Sequence, residues 1–233
     1  MHENPLLPNA RLRELLALLR RTAPLRKRAG LHDEAVLCAT AMHFQPGDLA
    51  FTEEDDATAA ELTGLYNAPT KRTAKTTPIL LTSSHSASRH RLLLAAGAAQ
   101  GLKSSGSERM AVVYIRSRDA ANEANWAEAL QYAHRNTLPL LVVVVETPVR
   151  TGKKTLTWEN VSRVCRSLRL PTVIVDGGDA VALYRVMQES TLRARQGGGA
   201  ALLWCAAAPS PLPQATSPLA RLTHYMRVRK LLQ

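Results

Sequence analysis

Apolar residues are most tightly patterned between Arg109 and Thr147. Met110 to Ile115 and Leu138 to Val145 are continuous apolar runs rich in β-branched residues. Both are too short for buried helices and predict strands covered on both faces. Between them Trp126, Leu130 and Ala133 recur at helical spacing, with Glu128 and Gln131 off that stripe. Strand, helix and strand predict one right-handed crossover unit of a parallel sheet. Ligands in such sheets bind beyond the carboxyl ends of the strands. Those ends are Arg116-Ser117-Arg118-Asp119 and Glu146-Thr147-Pro148-Val149-Arg150.

The flanking chain supplies further elements of the same kind. Residues 1–9 read as a flexible tail, with Pro5 and Pro8 holding off helix until Asn9, an apt N-cap. Leu12, Leu15, Leu16 and Leu19 then mark an amphipathic helix, and the basic residues Arg20, Arg21, Arg26, Lys27 and Arg28 gather around Pro24. A second helix places Ala35, Cys38, Ala39 and Met42 on one face and ends at the turn Gln45-Pro46-Gly47-Asp48. Leu49-Ala50-Phe51 precedes the acidic run Glu53 to Asp56, and residues 67–77 read as a polar loop. Pro78 to Leu81 predicts a short strand, and Arg91 to Gly101 a helix apolar all round. Gly97 costs that helix about 1 kcal/mol relative to alanine, which predicts a close helix contact of the kind found at subunit interfaces.

Beyond the central unit, Val161, Val164, Cys165 and Leu168 predict a helix, Thr172 to Val175 a strand, and Asp179 the cap of a helix bearing Ala180, Leu183, Tyr184 and Met187. Ala200 to Ala206 reads as a last buried strand. The triplet Gly197 to Gly199 follows a helix and precedes a strand, the reverse of the order a phosphate loop needs. These elements predict a single α/β domain over residues 10–208, with residues 209–233 forming a proline-rich linker and a C-terminal helix marked by Leu219, Leu222 and Met226 and ending near Leu232.

Composition adds one departure from the ordinary. The 233 residues are 45% hydrophobic and 21% charged, as in folded globular proteins, but the formal net charge is +11. A polyanion partner is one reading of that charge. Aromatic residues make up only 4% of the chain, too few to interleave with the cations as single-strand binding requires, so nucleic acid is not the expected partner. A basic surface that aids solubility or docks on an acidic partner subunit fits better. Cys38, Cys165 and Cys205 match no metal or redox spacing and read as reduced core thiols of a cytoplasmic protein. Arg11, Arg13 and Glu14 interrupt the N-terminal leucines, so no signal core or membrane span is expected.

Five segments, in order, carry a family likeness. HDEAVLCATAMHFQPGDLAF, AAGAAQGL, AANEANWAEALQYAHRNTLPLLVVVVE, VDGGDAVALYRV and SPLARLTHYM resemble stretches of the α subunit of the thiamine diphosphate-dependent decarboxylating component of 2-oxo-acid dehydrogenase complexes, pyruvate and branched-chain type. The likeness covers Ala10 to Leu232 and implies a three-layer thiamine-diphosphate-binding fold, a mainly parallel sheet with helices on both faces. It also implies a cofactor diphosphate held through Mg²⁺, and a β subunit that supplies the activating glutamate.

This chain departs from the family where the family grips its cofactor. The metal-binding GDG is matched by Ser117-Arg118-Asp119, so Arg118 stands at the liganding carboxylate; a guanidinium has no lone pair to offer. At the second ligand stretch Pro148 replaces the liganding asparagine, leaving only a backbone carbonyl at Arg150. A register shift would bring Asp119 forward as a ligand. The family's Tyr-Arg grip on the diphosphate falls at Glu54 and Asp55, and residues 205–218 hold no histidine for the family's active-site loop. His85 and His90 lie near a family histidine, but the spacing is shortened and the role does not transfer.

Two sites have therefore reversed sign, and Arg118 paired with Asp55 or Glu54 would fill the space of metal and diphosphate; side chains simply turned to solvent are the alternative. Three functional readings follow. In the first, neither thiamine diphosphate nor Mg²⁺ is bound, no residue is catalytic, and the chain is a binding or scaffolding subunit partnered by a second copy or a β-subunit-like protein. In the second, it is a working α subunit for oxidative decarboxylation of a 2-oxo acid, with a β partner. In the third, Arg118, Arg150, Lys153 and Lys154 take an anionic ligand or nucleic acid past the strand ends.

Overall fold

The computed structural model describes residues 7–29, 34–53, 79–83, 90–117, 123–147, 156–207 and 217–232. Their order is α1 (Asn9–Ala29), α2 (Glu34–Ala41), β1 (Leu49–Glu53), β2 (Ile79–Ser83), α3 (Arg91–Ser104), β3 (Ala111–Arg116), α4 (Glu123–Arg135), β4 (Leu140–Val145), α5 (Trp158–Leu168), β5 (Thr172–Asp176), α6 (Ala180–Arg195), β6 (Ala201–Ala206) and α7 (Pro218–Val228). The six strands form one sheet in the order β2-β1-β3-β4-β6-β5, and every pairing is parallel. The predicted crossover unit sits at its centre, with Ala111 to Arg116 opposite Leu140 to Val145.

Strand parity sorts the core into two layers. Val112, Tyr114, Leu141, Val143, Leu203 and Cys205 face a layer that includes residues of α1, α2, α6 and α7. Ala111, Val113, Ile115, Val142, Val144 and Trp204 face one that includes residues of α3, α4 and α5. Both faces of β3, β4 and β6 are thereby removed from water, which is why these strands read as unbroken apolar runs. At the edge, β5 leaves Val173 and Ile174 exposed.

Several local expectations need correction. Leu49 to Glu53 is a strand paired on both sides, although three apolar residues before an acidic run carried too little pattern to mark it. Helix α1 runs through Pro24 to Ala29. Pro24 removes the donor to the Arg20 carbonyl, but both residues are exposed, so water can take its place. Helix α2 is buried on every side rather than along one face. Helix α3 is not apolar-buried all round, since Leu93 is 39% and Leu94 53% exposed. Gly97 has nothing within 4 Å of a built Cβ, so among the described residues no close contact accounts for it. Helix α7 stops at Val228 rather than near Leu232, and Ser217 caps it with Pro218 in the first turn.

Two carboxylates, one buried and one part-exposed, hold the layers in register. Asp48 is fully buried at the end of the Pro46-Gly47 turn. Its Oδ2 accepts from the Gln45 amide at 2.7 Å, and its Oδ1 from the Met110 amide at 3.0 Å. Arg195 at the end of α6 donates to both oxygens, and also to the carbonyls of His43 and Glu108. Gly47 lies at φ +81°, and a Cβ there would meet the Arg109 side chain at 2.6 Å. Asp176 accepts from Arg221 of α7 at 2.7 Å and from the Gly178 amide at 2.8 Å, while Asp179 caps α6 through the amides of Val181 and Ala182. A Cβ on Gly178 would stand 2.6 Å from Arg221, so the glycine clears the arginine's path.

Breaking a buried pair by removing one partner costs about 3–5 kcal/mol, because the other charge is left uncompensated. Asp48→Ala is expected to lower the urea-unfolding free energy by about that much, and by more than Asp176→Ala, whose carboxylate is part-exposed at 26%. Beside the clasp, His43 stacks on Tyr184 and donates from Nε2 to its carbonyl at 3.1 Å. Burial, more than any neighbour, lowers its pKa to about 4. The folded value lies below the unfolded one, so the unfolded chain takes up the proton first. The contribution of neutral His43 is complete above about pH 6.5 and is lost as pH falls towards 4. His43→Gln should melt with a smaller drop in Tm than the parent between those two pH values.

Candidate functional site

Parallel strands place all their carboxyl ends on one side of the sheet, and β1, β3 and β4 are consecutive neighbours there. The predicted site residues follow those ends in the chain: Glu54 and Asp55 after β1, Arg118 and Asp119 after β3, Pro148 and Arg150 after β4. All six lie outside the described residues, as do His85, Lys153 and Lys154. What the fold establishes is that the chain enters these segments from adjacent strands.

The described rim of this mouth is closed by hydrogen bonds. The Ser117 amide donates to the Val145 carbonyl at 2.9 Å, continuing the β3–β4 ladder one residue past the strands. Ser117 is fully buried. Its Oγ accepts from the Thr147 amide at 2.9 Å and lies 3.0 Å from Thr147 Oγ1, so the two hydroxyls satisfy each other. The Leu156 amide donates to the Ser117 carbonyl at 2.9 Å, returning the chain to the same point. On the β6 side, the Glu146 amide donates to the Cys205 carbonyl at 3.0 Å, and Glu146 Oε2 accepts from the Ala207 amide at 2.8 Å. The ends of β3, β4 and β6 are thus laced together by short polar side chains.

Arg91 adds a cation below the rim. It opens α3, is only 1% exposed, and donates to the Tyr114 carbonyl at 3.2 Å. The sequence marks Arg91 only as the start of a helix; a charge opening an otherwise apolar stretch is its one signal. Asp48 and Ser117 were likewise named only as motif positions, since their bonding depends on Arg195 and Thr147, which are distant in sequence. His90 is exposed and makes no side-chain cap to α3. The three cysteines are free and buried, and burial pushes the Cys38 thiol up to about 12. Among the described residues no cluster of three or more His, Cys, Asp or Glu side chains could hold a metal, and no helix is long and apolar enough to cross a membrane.

Residues 39–207, most of the chain, match the profile of the family described as dehydrogenase E1 component. The chain belongs to that family. It is an E1 α-like protein, as the five segments implied. Two solved structures share the fold. Benzoylformate decarboxylase from Polynucleobacter necessarius is 14% identical, with a TM-score of 0.55 over 80% of this chain and 35% of that one. A protein from Mycobacterium smegmatis thought to be a thiamin diphosphate-dependent enzyme is 17% identical, with a TM-score of 0.51 over 76% of this chain and 32% of that one. The E1 α-like chain therefore spans about a third of the length of these structures. No curated protein matches it.

The Ser117–Thr147 link is open to a direct test. Ser117→Ala leaves the Thr147 amide without its acceptor and should cost about 1–3 kcal/mol in urea unfolding, whereas Thr147→Ser, which keeps the hydroxyl, should cost under about 1 kcal/mol.

Proposed function

We propose that this E1 α-like chain no longer holds thiamine diphosphate through Mg²⁺ and serves as a non-catalytic binding or scaffolding subunit. The side-chain donors at the ends of β3 and β4 carry this reading. Mg²⁺ requires near-octahedral oxygen ligation. Arg118 and Pro148, at the positions matched to the family's ligands, offer no side-chain oxygen. The adjacent hydroxyls that could have substituted, Ser117 and Thr147, are bonded to each other. The residues present do not fit the ion, and no chemical step is routed through it.

The same reading extends to the partners of Arg118. A guanidinium near a metal site repels the ion by several kcal/mol at an effective dielectric near 20, whereas Asp55 or Glu54 would attract it. Arg118 paired with either carboxylate would occupy the volume a diphosphate needs. A β-subunit-like protein or a second copy remains the partner that family membership favours.

Calorimetric titration of the full chain with thiamine diphosphate and Mg²⁺ decides the matter. No saturable heat is expected up to millimolar ligand, a limit equivalent to binding weaker than about 4 kcal/mol. Saturable heat with a defined stoichiometry would restore the alternative, a working α subunit for oxidative decarboxylation of a 2-oxo acid.

A further inference from the structure

The positive charge of this chain is concentrated in one place. Residues 9–29 hold seven arginines and lysines and one acidic residue, and residues 217–232 hold four basic residues and none acidic. These two segments therefore carry +10 of the formal +11, and the remainder of the chain is almost neutral. They are also packed together, since α1 and α7 touch and turn Leu12, Leu15, Leu16, Leu19, Leu222 and Met226 into the same core.

With the apolar sides committed inward, cations on both helices are left at the surface. Arg13, Arg20 and Arg21 on α1 are exposed, as are Arg227, Arg229 and Lys230 at the end of α7. Glu14, paired with Arg11 at 2.7 Å, is the sole carboxylate within these segments. Charge that served solubility alone would be spread over the surface, where self-repulsion is least. Gathering it on two adjacent helices places like charges closer together than an even spread would and penalises the free chain. An opposite charge laid across the face relieves that penalty.

A cleft identifies the kind of partner. Between the start of α6 and α7 lies a depression of 390 Å³ bordered by Asp179, Val181, Leu222, Tyr225, Val228 and Arg229. Val228 is 67% exposed, and Arg229 lies 4.6 Å over the Tyr225 ring. Arg221 in the wall is neutralised by Asp176. A nucleic-acid backbone has nothing apolar to set against Val228 and Tyr225, and a flat bilayer cannot enter a cleft. An acidic peptide segment with an apolar stripe can use both features.

We infer that the α1–α7 face is a docking surface for an acidic, amphipathic segment of a partner protein, with its apolar residues seated against Val228 and Tyr225. The inference does not rest on the loss of cofactor binding, because it uses no residue of the strand-end mouth.

Fluorescence anisotropy of the full chain tests it with a labelled glutamate-rich helical peptide bearing leucines on one face. A scrambled isomer of equal charge, a short mixed-sequence DNA duplex and phosphatidylserine vesicles serve as competitors. The amphipathic peptide is expected to bind roughly tenfold more tightly than its isomer, which is what burying one valine-sized side chain is worth. Val228→Ser should remove that preference, and the pair Arg227→Glu with Lys230→Glu should weaken both peptides while leaving Tm unchanged. Tighter binding of duplex or vesicles, equal binding of the two peptides, or no peptide binding at all overturns the proposal.

Discussion

The buried Asp48 carboxylate is the constraint from which the arrangement of this fold follows. It ends the turn after α2, fixes the first amide of the β3 run, and draws in the guanidinium at the far end of α6. Each of these groups would be costly to bury alone. Together they use the lone pairs of one carboxylate and the donors of one arginine, and Arg195 also reaches the His43 and Glu108 carbonyls. Hydrophobic burial would hold α2 and α6 against the sheet in many registers. The shared charge selects one, and that choice sets where β1 lies beside β3 and hence where the carboxyl ends line up.

At those ends the same economy of polar groups has a different result. An E1 family site would leave oxygen donors unspent at the strand ends, because a metal is to complete them. Here the described rim spends them internally: Ser117 on Thr147, Glu146 on the Ala207 amide. A hydroxyl already satisfied in a buried position gains little by rebinding a cation, because it must give up one bond to make the next. Local closure of the rim therefore supports the proposed loss of the metal grip.

How much of this was legible in the sequence depended on whether a feature is local. The β3–α4–β4 unit announces itself, because two-sided burial leaves strands with no polar residue to blur them. Asp179 could be read as a cap because capping acts within three residues. By contrast β1 borrows its stability from β2 and β3, so its five residues carry little signal of their own. Gly97 marks a cost but not a neighbour, because that cost in a helix is the same whether a neighbour stands against it or not. The Asp48–Arg195 pair spans 147 residues, a separation no spacing rule covers. The candidate site was legible only as residue types set against family positions, while the Ser117–Thr147 link depends on strand register and emerges only from the fold.

Charge in this molecule is divided by layer. Residues 9–29 and 217–232, which include α1 and α7 on one face of the sheet, carry +10 of the formal +11, and the rest of the chain sums to +1. Such a division separates two tasks that would otherwise conflict. The core can bury a carboxylate such as Asp48 beside a single arginine, since the excess cations are placed on the outer surface and screened by salt over about 8 Å. That outer layer can then change partner, salt sensitivity or affinity through exposed side chains alone. Exposed side chains are the least costly route to a new binding role, because surface charge is altered at little cost in stability and buried charge is not.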